Sequence, residues 1–174
     1  MKKFLFLLLV LLPVAGYSQR HLRGVSGVEV NGGVSDRGAY GLVGYSRYLG
    51  PKLYWKVTAG YEKGSIPAEN APAIKRNYST ILGQVGAYYS LLNLNSKAYL
   101  NVGGGGAVAS ESVTDYEWGP SKGGFAYGPY VGGEAELYLA DRLVFLLNGN
   151  YQYLLGSDLG ATRIYGGVGL KYCF

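Results

Sequence analysis

Glu134 and Glu136 stand two residues apart in "VGGEAELYL". On a strand that spacing puts both carboxylates on one face, where paired acids could share proton-transfer work. The competing reading is that they neutralise cations on the same face. "GGGG" at 103–106 invites a phosphate loop, but no Lys-Ser or Lys-Thr follows and no helix opens there. Small residues that let strands pack closely explain it better. His21 is the only histidine and has no second His or Cys beside it, so no metal site and no Ser-His-Asp set are expected. Cys173 is the only cysteine, which excludes an intramolecular disulfide framework. It is expected to pack in the interior or at a rim, with an intermolecular disulfide left open in an oxidising compartment. These residues predict no enzyme, no cofactor and no metal.

The elements that must position these residues repeat with period two. The N-terminus is set apart first: "MKK" followed by an apolar core of about a dozen residues is too short for a membrane-spanning helix, which takes roughly 20. It reads as a signal peptide, residues 1–18, cut after Ser18, with a single β-barrel domain at 19–174. The whole chain has 174 residues, a net charge of +5, 29 Gly and 18 Tyr, which argues for an all-β protein with close backbone packing rather than a nucleic-acid binder. Eight segments alternate: 27–34, 39–49, 53–63, 79–91, 97–109, 130–139, 143–155 and 162–174. In "LYWKVTAGYEK", Leu53, Trp55, Val57, Ala59 and Tyr61 oppose Tyr54, Lys56, Thr58 and Glu62. In the second segment Tyr40, Leu42 and Tyr48 are assigned to the apolar face and Arg47 to the polar one. Pro129 cannot donate to a ladder, so the sixth strand is expected to start after it or to bulge there.

A soluble barrel would bury the apolar face, and a membrane barrel would show that face to lipid. Three features favour lipid. The connections "LGPK", "LNLNS" and "ADR" are tight, whereas 64–77 and 111–123 read as long loops; short turns on one side and long loops on the other are the outer-membrane arrangement. The connections near 35–38 and 156–160 are short. Aromatics sit at the segment ends: Tyr48, Trp55, Tyr89, Tyr172 and Phe174 at one interface, Tyr40, Tyr61 and Tyr151 at the other. Finally, Val168, Leu170, Tyr172 and Phe174 resemble the insertion signal read by the barrel assembly machinery. The predicted fold is thus an eight-stranded antiparallel up-and-down outer-membrane β-barrel. Its interior is expected to hold a near-balanced network of Glu29, Glu62, Glu134 and Glu136 with Arg47, Lys56, Lys97, Arg163 and Lys171. A barrel of this size is filled by its own side chains, so no open pore is expected.

Two stretches resemble a known family. "QRHLRGVSGVEVNGG" and the C-terminal third, with Asp141-Arg142, Gly156-Ser157 and Gly167-Val168-Gly169, are similar to the TraO proteins of conjugative transposons in Bacteroidetes. The middle, around "IPAENAPAIKRNYSTILGQVGAYYSLL", matches more loosely. The resemblance implies a non-enzymatic outer-membrane part of a conjugative, type IV secretion-like DNA-transfer apparatus. The implied partners are membrane lipid, other apparatus proteins and the assembly machinery, without direct contact to DNA. The alternative is a stand-alone small barrel, an adhesin or envelope-stability protein, binding through its long loops. The two differ in whether loss of the chain stops conjugation.

Overall fold

The computed structural model describes residues 23–68, 71–94, 97–114 and 121–174. The signal segment 1–18 and His21 lie outside the described residues. Eight strands follow in chain order: β1 (Ser26–Ser35), β2 (Gly38–Tyr48), β3 (Leu53–Ala68), β4 (Ala71–Leu94), β5 (Ala98–Thr114), β6 (Ser121–Tyr138), β7 (Leu143–Tyr153) and β8 (Thr162–Cys173). Each pairs antiparallel with its neighbours in sequence, and β8 pairs back onto β1 to close a barrel. The last rung of that seam joins Phe174 and Ser26 by backbone hydrogen bonds in both directions.

The register explains the tilt of the strands. A walk from Ser26 passes Arg47, Trp55, Ala87, Gly104, Val131, Tyr151 and Ile164. It returns not to Ser26 but to Asp36, whose N–H bonds the Ile164 carbonyl. Closure with such a stagger forces strands to incline to the barrel axis.

Alternation sorts the side chains as the chemistry requires. Val28, Val30, Val43, Val57, Ile81, Val85, Val131 and Ile164 point outward and are exposed. Tyr54, Tyr88, Tyr99, Tyr130, Leu146 and Tyr165 point inward and are buried. Glycines make room where the large inward rings lean on the wall. Gly103 pairs with Tyr88, and a Cβ on Gly103 would stand 2.5 Å from the Tyr88 ring. The "GGGG" run is therefore a strand segment that seats an aromatic ring.

Several expectations change. The segment 64–77 is mostly strand: β3 and β4 stay paired past the rim, through Pro67↔Lys75. Likewise β5 and β6 pair up to Thr114↔Ser121, so 111–123 is largely the top of a second hairpin. These segments lose the apolar alternation because their outward face leaves the lipid, while backbone pairing continues. β6 runs straight through Pro129, which pairs with Gly106 of β5. Tyr127 and Leu155 exchange both backbone bonds, so by alternation the N–H that Pro129 lacks would have pointed at β7. One rung is lost on that side and the strand needs no bulge.

β2 is turned the other way from its predicted facing. Tyr40, Leu42 and Tyr48 are buried inside, and Val43 points out. Tyr40 and Tyr48 are therefore lumenal and belong to no interfacial belt, while Arg47, expected inside, is exposed on the outer wall. Lys97, also expected inside, is exposed in the turn before β5. The outward aromatics are Tyr45, Trp55, Tyr89, Tyr172 and Phe174 near the short turns. Tyr61, Phe125, Tyr127, Tyr151 and Tyr153 lie toward the other end.

Candidate functional site

The interior holds the only concentration of charge among the buried described residues: Glu29, Glu62, Glu111, Glu134 and Glu136 with Lys56, Arg163 and Lys171. With Arg47 and Lys97 outside and Glu111 added, acids outnumber bases. The balance is made by hydroxyl and amide donors, which is one reason so many tyrosines face inward.

The cluster nearer the short turns is built on Lys171 of β8 and Lys56 of β3. The Lys171 Nζ donates to Glu136 Oε1 at 2.6 Å and Glu134 Oε1 at 3.1 Å, and lies 3.7 Å from Glu29 Oε2. Lys56 bonds the other Glu134 oxygen and stands 3.2 Å from Glu29 Oε1. Tyr48 donates to Glu136 at 3.0 Å, Tyr54 to Glu134 at 2.9 Å, and Asn31 to Glu29 at 2.8 Å. Both ammonium groups also sit over aromatic faces, Lys56 at 4.7 Å from the Tyr88 centroid and Lys171 at 5.1 Å from that of Tyr54. Glu134 and Glu136 thus share a lysine and are wrapped in donors. A buried charge costs several kcal/mol unless paired, and these are paired. Both acids are buried and committed to these ion pairs.

The second cluster closes the other mouth. Glu62 of β3 accepts from Ser35 (2.5 Å), Tyr78 (2.7 Å), Tyr165 (2.7 Å) and Arg163 Nη1 (3.2 Å). Arg163 reaches on with Nη2 to Glu111 Oε1 at 2.5 Å. Glu111 of β5 also accepts from Ser157 Oγ at 2.7 Å and from the backbone N–H groups of Asp158 and Leu159 at 3.0 and 3.3 Å. Those three residues belong to the β7–β8 connection, 154–161. Gly156 (φ 78°) and Gly160 (φ 101°) take left-handed conformations that fold it inward. Leu154 and Leu159 are buried by this turn, and Leu159 packs with Tyr78 and Val113 of the projecting hairpins. The connection is a plug, and the Glu62–Arg163–Glu111 chain pins it. Sequence reading missed Glu111 because it fell in a segment assigned to a loop. The available signal was its place two residues beyond Ala109, still in phase with the inward positions Ala107 and Ala109.

Cys173 is buried and unbridged at the other end. Among the described residues no group of three His, Cys, Asp or Glu is arranged to hold a metal ion. The insertion-signal candidates Val168, Leu170, Tyr172 and Phe174 all lie on the outward face of the closing seam and are exposed.

A closed eight-stranded antiparallel barrel, apolar outside and ion-paired within, is a barrel of the outer-membrane type. Solved structures bear out this fold. The N-terminal β-barrel domain of Pseudomonas aeruginosa OprF matches with a TM-score of 0.66 at 11% identity, over 87% of this chain and 98% of that one. The neisserial surface protein A (NspA) gives 0.65 at 10% identity, over 86% and 96%. The outer membrane protein OprG of Pseudomonas aeruginosa gives 0.55 at 11%, over 91% and 99%. No curated protein sequence matches the chain. The family is defined by residues 18–174, which match the conjugative transposon protein TraO; the chain belongs to the TraO family.

Proposed function

We propose that this chain is a non-enzymatic component of a conjugative DNA-transfer apparatus of the type IV secretion kind, exported by its signal segment and seated in the outer membrane. It docks or stabilises the transfer channel and is not itself the conduit. The observation that carries this reading is the packed lumen, in a member of the TraO family. Two ion-paired clusters and the 154–161 plug fill the space a translocated strand would need. The continuous outward apolar band supports membrane placement. Its partners are membrane lipid, other apparatus proteins and, during biogenesis, the assembly machinery, which reads the Val168–Phe174 face.

The test is mating frequency from a donor with an in-frame deletion of the gene, with and without complementation. Loss restored by complementation supports the reading. Transfer at the normal rate refutes it and moves attention to the projecting β3–β4 and β5–β6 hairpins as the binding surface of a stand-alone envelope barrel.

A further inference from the structure

Arg47 is the one charged side chain of β2 on the outer wall, and its surroundings are those of a ligand site. It lies directly across from Trp55 of β3. Gly24 adopts a left-handed conformation (φ 92°), and its N–H bonds the Tyr48 carbonyl at 2.8 Å, which ties the chain entering β1 to the end of β2. That turn brings Arg23 beside Arg47. Together with Leu49 and Trp55 the two arginines line a cleft of about 280 Å³. Both are exposed, and neither enters the ion pairs seen among the described residues. Two exposed arginines lining one cleft with an indole are suited to receive a phosphate or another oxyanion.

A second observation says which source supplies it. One residue pair further into the wall, the Tyr45 and Trp55 rings meet at 5.5 Å and form a sill. Beyond the sill lies an apolar trough of about 600 Å³, lined by Val28, Val30, Val43, Val57, Ala59 and Leu170. Ala59 is the smallest outward side chain among these lining residues. The cleft sits at the ends of β1 to β3, and the trough runs over the same strands and across the closing seam onto Leu170 and Tyr172 of β8. A cationic cleft separated from an apolar trough only by the Tyr45–Trp55 pair fits an amphiphile with an anionic head and a long hydrocarbon tail. The short turns, together with the entry into β1 and the end of β8, mark this as the periplasmic rim.

We infer that Arg23 and Arg47 bind the phosphate of an inner-leaflet phospholipid whose acyl chain lies in the Val28–Ala59 trough. The site rests on the proposed membrane placement. Grooves of similar size lie over β4 to β6 and over β5 to β8, and what sets this one apart is the arginine cleft beside it.

The test uses the full chain, purified in detergent, stripped of lipid and titrated with phosphatidylglycerol, with bound lipid counted by native mass spectrometry. Wild type is expected to hold one lipid. The double variant Arg23→Gln/Arg47→Gln should bind it about tenfold more weakly or worse, the loss of two charge-assisted contacts. Ala59→Phe, which fills the trough and leaves both arginines intact, should also weaken binding. Lys63→Gln, on the outer face near the opposite rim, should not. Inorganic phosphate and the soluble headgroup glycerophosphoglycerol should compete poorly. Competition as strong as that of the lipid would make the ligand a free phosphate and overturn the proposal. Unchanged lipid retention in the double variant would overturn it too. So would a photoreactive phenylalanine analogue at Leu49 that captures a protein in cells and no lipid. Gel mobility reports folding of every variant. Membrane placement itself is read separately, by fractionation of wild type, so its failure is distinguishable from failure of the site.

Discussion

Glu111→Ala tests whether the lumenal network holds the outer mouth shut. The Glu111 carboxylate accepts four bonds, from Arg163 Nη2, Ser157 Oγ and the N–H groups of Asp158 and Leu159. Removing it leaves the fully buried Arg163 with half its pairing, Glu62 Oε2 at 3.2 Å. Breaking one partner of a buried pair costs about 3–5 kcal/mol. The Leu159 N–H keeps Ser157 Oγ at 3.3 Å, and the orphaned Asp158 N–H would add about 1–3 kcal/mol if it stayed dry. Water reaches the freed plug, so that N–H resolvates and the expected total stays near the ion-pair figure, about 3–5 kcal/mol. Urea titration of the barrel in lipid vesicles, read by the gel mobility of the folded form, should show that loss. Protease should nick 154–161 much faster than in wild type. Glu111→Ala/Arg163→Leu should cost less than the sum of the two single changes, because the uncompensated guanidinium is gone and Glu62 keeps Ser35, Tyr78 and Tyr165 as donors. Stability within about 0.5 kcal/mol of wild type, with unchanged nicking, would refute the pinned plug.

Three further outcomes follow from the wall. Val57→Arg places a charge on the lipid face and should cost about 2–4 kcal/mol in vesicles, whereas Tyr61→Arg, nearer the rim, should cost about 0–1 kcal/mol; equal costs would mean the apolar band is misplaced. Gly103→Ala drives a methyl into the Tyr88 ring and should destabilise by about 1–3 kcal/mol, while Gly106→Ala, with nothing within 4 Å, should be close to neutral in the same urea titration. Phe174→Asp should reduce folded protein in outer-membrane fractions, and undiminished yield would remove Phe174 from the insertion signal.

A filled barrel bears directly on what a TraO-family protein can contribute. Opening a path through it would require dismantling both clusters, Lys171 with its three glutamates and Arg163 with two. Each unpaired ion left in a dry interior carries the penalty described above. Contacts with other proteins are therefore expected on the outside, at the rims or on the hairpins.

The sequence by itself determined the architecture. Period-two alternation, with most of the charge on one face, is enough for eight strands and for the inward facing of Glu29, Lys56, Glu62, Glu134, Glu136, Arg163 and Lys171. Lipid on one side imposes that pattern residue by residue, so it is written locally. Tertiary structure alone decided the rest. In β2 both faces carry tyrosine, and a one-residue change of phase exchanges Tyr48 for Arg47; only the register with Ser26 and Trp55 selects which looks out. A tyrosine reads equally as an interfacial anchor or as a lumenal donor until the carboxylate opposite it is known, and Tyr48 finds Glu136, 88 residues away. Above the rim the outward face turns polar while Tyr78, Glu111 and Val113 stay buried over the plug, so β3 to β6 continue without an apolar outward face to announce them. Glu111 stayed hidden for that reason. Its partners come from β8 and from the plug, brought together only when the barrel closes.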